Sequence, residues 1–354
     1  MTRRRRVVAG AVAVLAATAA PGAAVAQPSP APVAGTPVCE VRGGRLSEIS
    51  GMVATDDGYV MVNDGAEDEA RRRIFFLDDR CSVVRTVSFP SRPRDTEDLA
   101  VGADGTVWVA DTGDNDRSRQ TIAVWKLPPG ADRPVLHRMA YPDGPHDAEA
   151  MLVTGDGRPV VVTKYSATLY APDAAPRPGT TAPLVKVGQV RLPASTTSNP
   201  YGMLGRTAVT GAATAPDGRR VVLRTYADAY EFDVADGDVV AALTGGTPRI
   251  VALPDEPQGE SVTYSRDGRS LLTVSETADQ PPGTTPTVLR YPLPASPASP
   301  TSPAAPEATA RAAGDGTGPS GAVRTYLVAA GALGLVLIAV GLVALGRARR
   351  SRTR

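Results

Sequence analysis

Only two cysteines and two histidines occur in this 354-residue chain. Cys39 and Cys81 are too few and too far apart for a zinc site built from thiolates. With His137 and His146 alone, a histidine-rich metal site is excluded as well. No H-E-x-x-H, G-x-S-x-G or P-loop pattern occurs, so the usual catalytic signatures are missing. The single G-x-G-x-x-G match, Gly316 to Gly321, sits in a Pro/Ala-rich stretch and not between a strand and a helix, so it cradles no dinucleotide. Long apolar runs are confined to the two ends of the chain.

Those end runs read as targeting segments. Residues 1–26 carry Arg3 to Arg6, an apolar stretch and Ala24-Val25-Ala26, the plan of a secretory signal peptide. Residues 27–37 form a short linker. Residues 294–324, rich in Pro, Ala, Thr and Ser, cannot bury a core and predict an extended stalk. Residues 325–346 predict a transmembrane helix, since about 20 apolar residues cross one bilayer core. The tail at 347–354 holds five arginines and is expected inside. The expectation is a single-pass type I protein of the plasma membrane, held through its C-terminal helix, with residues 38–293 outside. Nine of the 38 lysines and arginines lie in the signal peptide and tail, which hold no acid. The remainder faces 37 acids and is net negative, which argues against nucleic acid as a partner. Two cysteines in an oxidising compartment predict a Cys39–Cys81 disulfide.

Between the ends the chain repeats itself at intervals of about 50 residues. Each of five units has a short strand, a turn ending in Asp-Gly, a second strand, a polar loop and a third strand. The turns are Asp57-Gly58, Asp104-Gly105, Asp156-Gly157, Asp217-Gly218 and Asp267-Gly268. Asp-Gly between apolar runs is a strong hairpin signal. A fourth strand follows every unit but the last, and Val38 to Arg42 stands alone before the first. Placing that N-terminal strand in the last unit closes a ring and removes its open edges. The fold class read from the pattern is all-β: a β-propeller with five four-stranded blades found and a sixth left open, closed by the N-terminal strand, plus the C-terminal helix.

In such a ring the loops leading into first strands share one end with those joining second and third strands. Glu97, Glu149 and Glu260 take equivalent places in three units and are expected to converge there with Asp111 and Asp114 as an oxygen-rich site for Ca²⁺. Asp95, Asp98, Asn115, Arg117, Lys164, Arg224 and Glu276 fall on the same end as candidate ligand-binding residues.

The run Asp104-Gly105-Thr106-Val107-Trp108-Val109-Ala110-Asp111-Thr112-Gly113-Asp114-Asn115 resembles an NHL-type repeat. The acidic leads Asp95-Thr96-Glu97-Asp98-Leu99 and Gln258-Gly259-Glu260-Ser261-Val262 are similar to those of phytase-like esterase propellers and calcium-dependent lactonase propellers. That resemblance implies a propeller, generally of six blades in those families, with a metal at the channel mouth. Here five units are found, and the fourth has Thr210-Gly211 where others carry Glu. Two readings stand. The first is a binding or scaffold module at a bacterial cell surface, taking a protein or cell-wall glycan. The alternative is a Ca²⁺-dependent hydrolase of phosphoesters or lactones.

Overall fold

The computed structural model describes residues 33–294, and they are almost entirely strand. Strand β1 (Thr36–Glu40) precedes five meanders. The first is β2 (Ile49–Thr55), β3 (Gly58–Asn63), β4 (Arg73–Leu77) and β5 (Val83–Ser88). The second is β6 (Thr96–Val101), β7 (Val107–Asp111), β8 (Ile122–Leu127) and β9 (Val135–Ala140). The third is β10 (Ala148–Val153), β11 (Pro159–Thr163), β12 (Thr168–Pro172) and β13 (Thr181–Gln189). After a short helix α1 (Gly202–Gly205) comes the fourth: β14 (Val209–Thr214), β15 (Arg220–Thr225), β16 (Asp228–Asp233), helix α2 (Val239–Gly245) and β17 (Arg249–Ala252). The fifth has β18 (Gln258–Tyr264), β19 (Ser270–Glu276) and β20 (Thr287–Pro292). Its fourth position is filled by β1, which pairs antiparallel with β20. The second and third meanders form one eight-stranded sheet, because β13 and β9 pair in parallel along their outer edges.

The Asp-Gly turns work as hairpin chemistry requires. In the last four, the glycine lies at φ between 65° and 79°, the left-handed region that favours a residue without Cβ. The preceding aspartate often fixes the turn from its side chain, as Asp104 does by accepting from Thr106 N at 3.0 Å.

The first strand of each meander faces the centre. Each contacts its counterpart in the next meander, and β18 contacts β2, so the five inner strands close a ring, the arrangement of a β-propeller. These strands are buried on both faces, whereas the outer strands alternate or face solvent. Five apolar clusters fill the five gaps between neighbours. One joins Val60, Val62 and Ile74 to Leu99, Val109 and Trp125; another joins Met52, Met61 and Phe75 to Leu272, Val274 and Val288 across the seam. A Cys39–Cys81 disulfide crosses the same seam, from β1 to the turn before β5. Helix α2, capped by Asp238 accepting from Ala241 N at 2.9 Å, adds Val239, Ala242 and Leu243 to the core between the third and fourth blades.

The expected attachment to a membrane is corrected by the structure. No helix among the described residues is long and apolar enough to cross a bilayer, α1 and α2 having four and seven residues. The segments expected as signal peptide, transmembrane helix and tail, and all but the first residue of the stalk, lie outside the described residues.

Candidate functional site

Every inner strand slips register against its neighbour at the same place. The shifts fall between Ile49 and Gly51, Thr96 and Asp98, Ala148 and Ala150, Val209 and Gly211, and Gly259 and Ser261. The extra residues are therefore Ser50, Glu97, Glu149, Thr210 and Glu260. A bulge re-aims its side chain out of the pleat. Five bulges at equivalent points make a belt of five side chains around one end of the channel, three of them glutamates. The sequence pattern predicted this equivalence; the bulge is its physical cause.

More acids surround the belt. Carboxylate oxygens of Glu97, Asp147 and Glu149 lie within 4.8 Å of one another, and so do those of Asp64, Asp95 and Glu97. Gly113 permits this crowding: a Cβ there would stand 2.6 Å from Asp95 Oδ2 and closer still to Glu97 Oε1. On the far side, Gln258 Nε2 donates to Glu276 Oε2 at 2.7 Å and to Glu260 Oε1 at 3.3 Å. The Tyr226 hydroxyl also donates to Glu260 Oε1, at 3.1 Å. The one ammonium among them is Lys164, ion-paired with Glu149 Oε1.

Below the belt the inner strands draw together. Asp98 sends Oδ2 across to Met151 N of β10 (2.8 Å) and Ala212 N of β14 (3.1 Å), tying three inner strands together. At the same level a Cβ on Gly51 would meet Leu99 N at 2.8 Å, so the strands are too close for a side chain there. The acids line a cup above this crossing.

Other candidates serve the scaffold. Asp111 accepts from Asp95 N and Trp125 Nε1 at 3.1 and 3.2 Å and pairs with Arg119 at 2.9 Å. Asp114 closes its own loop by accepting from Ser118 N and Arg119 N, both at 2.9 Å. Asn115 and Arg117 are exposed at that loop's tip. Arg224 is fully buried, donating to Glu256 at 2.6 Å and Ser261 O at 2.7 Å between the fourth and fifth blades. His137 is buried with Nδ1 2.8 Å from Pro176 O, and His146 is held by Asp143 at 2.9 Å.

Burial and mutual repulsion shape the titration of the cup. Burial first, then Asp64, Glu149, Asp95 and Glu260, hold the Glu97 carboxyl well above the usual range. Burial, then Glu260, does the same for Glu149, against the pull of Lys164. Burial and Asp64 push Asp95 up to about 8; burial and Glu260 push Glu276 up to about 11. Burial would lower Lys164, yet Glu149, Glu260 and Glu97 raise it above its ordinary value. Three buried oxygens in and beside the cup, Asp147 Oδ2, Glu149 Oε2 and Glu276 Oε1, have no hydrogen-bond partner. Protons or a cation must neutralise this cluster. An all-oxygen donor set with orphaned carboxylate oxygens fits a hard divalent cation such as Ca²⁺.

The sequence matches no protein-family model and no curated protein. Solved structures do match in part. A gluconolactonase from Xanthomonas campestris is 14% identical, covers 67% of this chain and 68% of its own, and has a TM-score of 0.37. The PQQ-bound aldose sugar dehydrogenase of Streptomyces coelicolor is 12% identical over 73% of this chain and 96% of its own, with a TM-score of 0.38. Virginiamycin B lyase from Staphylococcus aureus is 11% identical over 70% and 67%, at 0.35. At such values these proteins do not lend the chain their chemistry.

Of the acids that form the cup, Asp64 and Asp147 carry no sequence signal that separates them from their acidic neighbours. Ser50 and Thr210 do: each holds the offset from its Asp-Gly turn at which three blades carry Glu.

Proposed function

We propose that this protein is a divalent-cation-dependent hydrolase of esters, lactone or phosphoester, working in the acidic cup. The observation that carries this reading is the belt of bulged residues, which brings Glu97, Glu149 and Glu260 to one mouth beside oxygens that lack any partner. Glu97, Glu149 and Asp147 would hold the ion, with Asp64, Asp95 and Glu260 around it. Bound Ca²⁺ would supply Lewis-acid polarisation of a carbonyl or phosphoryl oxygen. Lys164 holds Glu149 in place and keeps one fixed positive charge at the mouth. Below the site, Asp98 ties the inner strands that carry Glu97 and Glu149 to each other and to β14.

The scaffold reading gives way because Glu97, Glu149, Glu260 and Asp147 are only 3–5% exposed, out of reach of the flat surface of a macromolecule. An extracytoplasmic setting is supported by the disulfide, which persists in oxidising compartments.

The test is calorimetry of Ca²⁺ binding, with turnover of a γ-lactone and a phenyl phosphate alongside. Wild type is expected to bind and to turn over one of the two. Glu97→Gln and Glu149→Gln are expected to lose both properties while keeping the β-sheet circular dichroism. A wild-type protein that binds no Ca²⁺ or Mg²⁺ refutes the proposal.

A further inference from the structure

The connection from β13 to β14, residues 190–208, is the longest that reaches the cup. The equivalent connections between the other blades run from five to eight residues. It is tied down at its base, where Ser198 O accepts from Asp255 N at 3.2 Å and Thr197 Oγ1 donates to Asp228 at 2.7 Å. It then rises to Tyr201, whose ring centroid lies 4.4 Å from that of Tyr226 and whose hydroxyl donates to Gln258 Oε1 at 2.9 Å. Tyr226 and Gln258 are the residues that hold Glu260. The wall and the cup therefore share a boundary.

That wall is apolar and open to solvent. Met203 and Leu204, in α1, are 81% and 65% exposed; Tyr201 is 42% and Tyr165 is 51%. Lys164 Nζ lies 5.8 Å from the rings of both Tyr165 and Tyr226, which places Tyr165 at the same mouth. The remaining exposed large apolar residues among those described are Val33 and Val38 near the N-terminus and Val84, Val135, Val185 and Ile250, one on each of four outer strands. Isolated residues of that kind are ordinary; a contiguous group marks a binding surface.

We propose that Tyr165, Tyr201, Met203 and Leu204 form a subsite for an apolar alkyl or aryl substituent on the substrate, so that the substrate class is a hydrophobic ester rather than a polyhydroxylated one. This rests on the hydrolase reading. The acyl or alkoxy oxygen enters the acidic cup while the apolar substituent lies on the wall, and no macromolecule is needed to cover it.

Two measurements on the full chain with Ca²⁺ test it. In the first, kcat/KM is followed over γ-lactones of rising alkyl length, with an expected gain of up to about fourfold per methylene buried. In Met203→Ser/Leu204→Ser that gain is expected to fall to about twofold per methylene, with γ-butyrolactone itself little changed. A flat chain-length profile in wild type overturns the subsite. In the second, independent of turnover, the neutral fluorophore N-phenyl-1-naphthylamine is titrated. It is expected to bind wild type and to bind the double variant about tenfold more weakly at unchanged melting temperature. Equal binding to both overturns the proposal. Loss of probe binding in the variant, with neither the lactones nor phenyl phosphate turned over by wild type, supports the subsite and refutes the hydrolase. Concentration-dependent sedimentation that the double variant abolishes assigns the wall to a second copy of the chain and overturns the small-molecule reading.

Discussion

Raising the pH should weaken this protein when divalent cations are withheld, the reverse of what ordinary surface carboxylates produce. A carboxyl whose folded pKa exceeds its unfolded value keeps its proton in the fold and loses it on unfolding. The slope of unfolding free energy with pH follows protons bound unfolded minus protons bound folded, which is negative between the two pKa values. For Asp95 that window runs from 3.8 to about 8, and for Glu276 from 4.5 to about 11. Between pH 7 and 8 Glu276 contributes nearly one proton and Asp95 a large part of another. At about 1.4 kcal/mol per proton per pH unit the loss is about 2 kcal/mol. A domain of this size shifts by about 2–4 °C per kcal/mol, so the melting temperature should fall by about 4–8 °C. The interval avoids His137, whose burial lowers its pKa and whose effect ends near 6.5. It also avoids Asp104, Asp156 and Asp267, held below the usual range by local hydrogen bonds and fully ionised well before pH 7. The assay is thermal unfolding by circular dichroism at pH 7.0, 7.5 and 8.0, in EDTA and in excess Ca²⁺. Calcium at about 100 times its Kd should add about 2.7 kcal/mol and remove the downward slope, because it displaces the protons. Asp95→Asn/Glu276→Gln should make the slope in EDTA shallower, with Glu97 and Glu149 sustaining the rest. A melting temperature that is constant or rises with pH in EDTA would refute the reasoning about the cup.

Three further outcomes are expected. Gly113→Ala places a methyl group against Glu97 and Asp95 and should weaken Ca²⁺ by about tenfold or more in calorimetry; unchanged affinity would remove that pair from the ion's ligands. Arg224→Ala leaves Glu256 buried and unpaired and should cost about 3–5 kcal/mol in urea unfolding, with much of it recovered in Arg224→Leu/Glu256→Leu; a cost under about 1 kcal/mol would show the pair to be dispensable. Cys39→Ser/Cys81→Ser, which opens a loop of sequence separation 42, should lower stability by about 4 kcal/mol in the same assay, and an unchanged midpoint would show that the bridge does not secure the seam.

The parts of the fold legible in the sequence were those written in local chemistry. Asp-Gly turns mark the first hairpin of every blade, and the unpaired N-terminal strand has no place except beside β20. Glu97, Glu149 and Glu260 could be aligned because each keeps a constant distance from its turn. What could not be read was whether an acid looks outward or into its own loop. Asp111 and Asp114 share the composition of a metal loop, yet backbone N–H groups and Arg119 occupy their oxygens. Arg224 sits near the mouth in sequence, but Gly259 leaves a space that its guanidinium fills from within. The 190–208 connection and α2 are insertions into the repeat, and a repeat pattern is silent about what interrupts it.

The seam also bears on the order of assembly. Strand β1 needs β20, which leaves the ribosome some 250 residues later, so through most of synthesis it has no sheet to join. Its cysteine needs only residue 81. Oxidation after the first blade emerges would moor β1 beside that blade and hold it at the berth where the last hairpin must dock. In reducing conditions the same strand would stay loose until the end, available to another chain's open fifth blade. The bridge then acts as a guard against strand exchange between copies during biogenesis, whatever it adds to the finished ring.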